Sequence, residues 1–131
     1  MQVNPGHEKE LGVILGTFEP SNTDNFPQMM TKVAATLRTH HLPDATAHWG
    51  SLRLIGPLAE EKVGRKRMSP GKGILFCVQH GNGHLMVDRT VRFFIGAGCW
   101  GYIPPGVSYQ FEGARPTTRN VEFRPVTIRL K

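Results

Sequence analysis

From Trp49 onward the chain is a succession of short apolar runs broken by glycine and proline, and this rhythm restricts the fold more than any other feature. Ile74-Leu75-Phe76-Cys77-Val78 is continuously apolar, as a buried strand requires. Gly81-Asn82-Gly83 is a tight-turn signal, because Gly and Asn accept positive φ, and Leu85-Met86-Val87 reads as the returning partner strand. Val91–Ile95 closes at Gly96-Ala97-Gly98, and Trp100–Ile103 stops at Pro104-Pro105-Gly106. Ser108–Glu112 alternates apolar and polar residues, and Gly113–Thr118 reads as a turn. In the last strand, Val121 and Phe123 share one face, while Val126, Ile128 and Leu130 share another phase. The slip falls at Arg124-Pro125, which predicts an edge position or a bulge. Many short strands in close succession predict an all-β barrel or sandwich.

The first 48 residues differ. Residues 1–10 read as a loose polar lead-in, and Leu11–Phe18 as a strand. Pro27–Leu42 is the one helix candidate. Pro27 suits a first turn, and Met30, Val33, Ala34 and Leu37 recur at spacings of three and four on one face. Pro43 ends it. Residues 1–48 are therefore expected as an extension of one strand and one helix on a barrel formed by residues 49–131. Glu60–Lys72 reads as a polar loop carrying the basic knot Arg65-Lys66-Arg67.

A length of 131 residues suits one domain. Net charge is +6, which permits weak DNA contact or an acidic protein partner and equally fits a plain basic surface. Cys77 and Cys99 lie in apolar runs without metal-binding spacing, so both read as free thiols of a reducing compartment. Met1–Glu10 is too polar for a secretory signal, and no apolar stretch approaches the ~20 residues of a membrane helix. No membrane association is expected.

The segment Gly98-Cys99-Trp100-Gly101-Tyr102-Ile103-Pro104-Pro105-Gly106-Val107-Ser108-Tyr109 resembles the second motif of the cupin superfamily: a glycine, five residues, Pro-x-Gly, two residues and a histidine. Phe76-Cys77-Val78-Gln79-His80-Gly81-Asn82-Gly83 is similar to the end of the first motif. The resemblance covers about residues 50–131 and implies a cupin-type double-stranded β-helix, or jelly roll. Cupins hold a divalent metal with histidines and a carboxylate. Here Tyr109 stands at the second-motif histidine position, and Arg65–Ile74 contains no His, Asp or Glu. Neither a metal nor another cofactor is expected, and no catalytic residue is assigned.

One branch of the superfamily fits that loss. Leu52-Arg53-Leu54-Ile55-Gly56-Pro57-Leu58-Ala59-Glu60-Glu61-Lys62 resembles the lead-in of the C-terminal domain of centromere protein C, as does the Pro-x-Gly-x-x-Tyr form of the second motif. That resemblance implies a non-enzymatic homodimer at the inner kinetochore, in the nucleus. It also implies pairing through the outer face of one barrel sheet, and a kinetochore or centromere-assembly protein docked on the barrel surface or in its pocket. The alternative is a small-molecule or atypical metal-dependent cupin, a sensor or enzyme using Tyr109, His80 and His84.

Candidate residues follow. Trp100, Tyr102, Tyr109 and Phe111 are candidates for a pocket or partner site, since aromatic rings suit such places and Trp and Tyr add a polar tip. Phe93, Phe94, Val126 and Ile128 are candidates for the dimer interface, and Arg65, Lys66 and Arg67 form the basic patch. His80 and His84 flank the glycine turn as possible cross-strand neighbours, but a third ligand is lacking and a surface pair is the better reading. His40, His41 and His48 fit the end of a helix, where the dipole favours their charge.

Overall fold

The structure is a computed structural model and describes residues 3–19, 26–40, 54–113 and 123–130. In chain order the elements are β1 (His7–Glu8), β2 (Ile14–Thr17), α1 (Phe26–His40), β3 (Leu54–Glu60), β4 (Lys66–Met68) and β5 (Ile74–His80). Then come β6 (Asn82–Val87), β7 (Val91–Gly96), β8 (Cys99–Ile103), β9 (Ser108–Gly113) and β10 (Arg124–Leu130). All pairings are antiparallel. A large sheet runs β1-β2-β8-β5-β10-β3, and a small sheet runs β4-β9-β6-β7.

Two apolar layers hold the elements together, and β5 belongs to both. Ile74, Phe76 and Val78 face the small sheet, where they meet Leu85, Val87 and Phe111, with Ile103 of the neighbouring β8 in the same layer. Leu75 and Cys77 face the opposite way, against Met30, Val33 and Leu37 of α1. Burial on both faces is why this strand is continuously apolar rather than alternating. The apolar stripe of α1 is fully used: Met30, Val33, Ala34 and Leu37 are all buried.

Several sequence expectations are corrected. Gly81-Asn82-Gly83 does not close a hairpin: β5 pairs with β8 and β10, while β6 pairs with β7 and β9, so this turn carries the chain from one sheet to the other. The tight hairpin joins β6 to β7, where Asp88 and Arg89 adopt φ of 52° and 59°. The lead-in is not loose: β1 pairs with β2, and Val3 bridges to Phe18. Because β2 in turn pairs with β8, this part of the extension is built into the large sheet rather than packed on it. The basic knot is not a loop, since Lys66 and Arg67 lie on β4, the edge strand of the small sheet. Of the two options for Pro125, the structure takes the bulge: the register shifts between Arg124 and Pro125, and β10 is an interior strand. Within the described residues α1 ends at His40; Leu42, His41 and His48 lie outside them.

Candidate functional site

The two sheets part along one side, between the edge strands β3 and β4. A groove of about 570 Å3 opens there, and β3, β4, β9 and β10 all contribute to it. Strand alternation decides which side chains reach it. On β10, Val126 and Ile128 face the helix, so Thr127 and Arg129 face the groove. On β4, Arg67 turns inward, while the exposed Lys66 and Met68 border the groove at its rim. The β4 segment is pinned at both ends: the Gly64 N–H donates to the Phe111 carbonyl at 2.6 Å, and the Ser69 hydroxyl donates to the Ile103 carbonyl at 3.1 Å.

At the inner end of the groove lies Glu61, buried just beyond β3. Its backbone N–H donates to the Pro125 carbonyl at 2.9 Å. The Thr127 hydroxyl donates to Glu61 Oε1 at 2.8 Å, and the Tyr109 hydroxyl donates to the same oxygen at 3.3 Å. Arg67 Nε sits 3.2 Å from Oε2, at an angle that makes an ion pair but not a hydrogen bond. Burial pushes the Tyr109 hydroxyl well above the usual phenol range. The Glu61 charge and hydrogen bond push the same way, and Arg67 and Arg129 oppose them. Tyr109 is therefore a neutral donor at any physiological pH, unsuited to act as a base.

The second surface is the outer face of the small sheet. Phe94 is 84% exposed there, its ring tilted against that of His84 with centroids 4.4 Å apart. Cross-strand register puts Glu112 beside His84, and Met86 beside Arg92. Arg92 pairs with Glu112 at 3.5 Å, and Met68 lies 60% exposed on β4. The equivalent face of the large sheet is covered by α1.

The four pocket candidates are not brought together. Trp100 and Tyr102 lie beneath α1, on the far side of the large sheet. There the indole N–H donates to the Asn4 carbonyl at 3.2 Å and the Tyr102 hydroxyl to the Lys72 carbonyl at 2.9 Å. Phe111 is sealed between the sheets, edge-on to Phe76, Tyr109 and Phe123. Only Tyr109 reaches the groove. Among the interface candidates Phe94 is exposed and Phe93 half-buried against the inner core. Val126 and Ile128 are corrected: both are buried in the cluster that α1 completes rather than exposed on a sheet face, although Ile128 also borders the groove. His80 and His84 belong to different sheets and are not cross-strand neighbours. Among the described residues no three His, Cys, Asp or Glu side chains converge as a metal site, and no helix is long and apolar enough to cross a membrane. Glu61 and Arg129 were not foreseen, because nothing local separates them from other surface charges. Thr127 carried a signal, a lone hydroxyl between Val126 and Ile128.

No family model matches the chain, and no curated protein matches it in sequence. Among solved structures it is similar to RmlC from Streptococcus suis, solved in complex with dTDP-D-xylose. The identity is 12% and the TM-score 0.50, with all of this chain and 70% of that one covered. The fold is of the cupin type. At this identity the likeness concerns the path of the chain. The RmlC ligand is no guide to the groove described above.

Proposed function

We propose that this cupin-type domain is a non-enzymatic homodimerisation and protein-docking module, of the centromere protein C kind and acting in the nucleus at the inner kinetochore. The observation that carries the reading is Phe94. A large ring exposed beside His84, Met86 and an Arg92–Glu112 pair has the make-up of an interface centre with a polar rim. Dimerisation through the outer face of a barrel sheet needs an uncovered face, and among the described residues α1 leaves only that of the small sheet. A face carrying both Arg92 and Glu112 can meet its own copy about a two-fold axis, each cation facing an anion.

The barrel interior supports binding at the surface rather than chemistry within. Phe76, Leu85, Ile103 and Phe111 fill the space between the sheets and are fully buried. At the position of the cupin motif histidine, Tyr109 is tied to Glu61 as a neutral donor.

Amide hydrogen exchange at two protein concentrations tests the reading. Amides of β6, β7 and β9 are expected to exchange more slowly at the higher concentration, with α1 unchanged. Concentration-independent exchange over the small sheet, or protection confined to α1, would overturn it.

A further inference from the structure

We propose that the groove between β3 and β4 is the docking site of an acidic peptide segment from a partner protein. The inference rests on the docking role above and names the chemistry of the docked chain. Four cations line the groove: Arg65, Lys66, Arg67 and Arg129. Among the described residues its one lining carboxylate, Glu61, is already occupied by Arg67, Thr127 and Tyr109. Arg65, Lys66 and Arg129 form no ion pair among the described residues. The groove therefore offers three exposed, uncompensated cations around an internally balanced buried cluster.

Shape narrows the ligand. The groove is concave, of a volume that suits side chains of a bound ligand, and Ile74 and Pro70 add apolar lining. It runs between two strand edges, so a single extended chain can lie along it, with carboxylates on the arginines and apolar side chains below. Arginine suits this task because its planar fork takes a carboxylate by two parallel hydrogen bonds. Duplex DNA presents its phosphates on a broad convex surface and would meet only the rim.

The test is fluorescence anisotropy with a labelled peptide of alternating glutamate and leucine, run with the full chain. Light scattering and circular dichroism of each sample accompany it. The wild type is expected to bind, more weakly as salt rises. Arg65→Gln/Arg129→Gln should bind roughly a hundredfold more weakly, since two arginines are removed and each lost charge-assisted hydrogen bond costs about a factor of ten. Lys32→Glu on the exposed side of α1 changes net charge by the same amount and should bind as the wild type does. A short random-sequence DNA duplex should displace the peptide poorly. Three results would each overturn the proposal: a wild type that ignores the peptide, a folded double variant that binds it unchanged, or DNA that displaces it as readily as unlabelled peptide. The two readings fail separately. A monomer that binds the peptide removes the dimer and keeps the groove, and a dimer that ignores it does the reverse.

Discussion

Gly16 and Trp100 face each other across the β2–β8 ladder, and the indole occupies the space that a side chain at position 16 would need. Trp100 is completely buried, and its N–H reaches back to the Asn4 carbonyl. The N-terminal strands are thus fitted to this one ring. Gly16→Ala forces a methyl group into the indole and is expected to destabilise the fold by about 1–3 kcal/mol, the usual cost of overpacking. Urea unfolding measures it. An unchanged midpoint would mean that β2 can move away from β8 freely.

Glu61 accepts hydrogen bonds from Thr127 and Tyr109 while pairing with Arg67. Glu61→Ala leaves the Tyr109 hydroxyl without its acceptor, the Thr127 hydroxyl with only the Ala59 carbonyl at 3.5 Å, and a cation without its partner. The expected loss is about 2 kcal/mol, held down by the partial exposure of Arg67 to water. Glu61→Gln keeps an acceptor for both hydroxyls and should lose about half as much. Equal losses would show that charge, not hydrogen bonding, ties the groove together.

Burial pushes the Tyr102 hydroxyl up to about 12, and the Tyr109 hydroxyl is raised too. Both phenols ionise near pH 10 in the unfolded chain. The fold therefore holds their protons more tightly, and this contribution is complete below about pH 10. Stability should fall as pH rises from about 10 toward 12. Circular dichroism across that range checks the direction, and Tyr102→Phe should make the fall shallower.

Cys77 is completely buried, its Sγ 2.9 Å from Met30 Sδ beneath α1. Burial, and secondarily the Cys99 thiol, pushes its thiol well above the usual range. Thiolate is the reactive form. In native protein, iodoacetamide should modify half-buried Cys99 first and reach Cys77 only when α1 lifts or the chain unfolds. Equal rates by peptide mass mapping would show that α1 does not stay docked.

The barrel was legible because its signals are local: apolar runs of strand length and the stop at Pro104-Pro105-Gly106. The single helix was legible from Met30, Val33, Ala34 and Leu37. Pairing was not. A glycine turn at residues 81–83 looks the same whether it closes a hairpin or crosses between sheets, and only long-range register separates the two. The faces of β10 were visible as an alternation, but nothing in the alternation says that α1 covers one of them. An interface role for Val126 and Ile128 is compatible with that alternation alone, and only the position of the helix speaks against it. The groove was half visible: Tyr109 stood out through its place in the motif, and Arg65-Lys66-Arg67 through its density. Glu61, Thr127 and Arg129 join them only through pairing between strands far apart in sequence.

The proposed dimer pairs through the outer face of the small sheet. Molar mass by light scattering at micromolar concentration tests it directly, on the wild type and on Phe94→Glu. The wild type should weigh twice the 14.6 kDa protomer, and Phe94→Glu, with its circular dichroism unchanged, should weigh one protomer. A wild-type monomer, or a folded Phe94→Glu variant that stays dimeric, would contradict it.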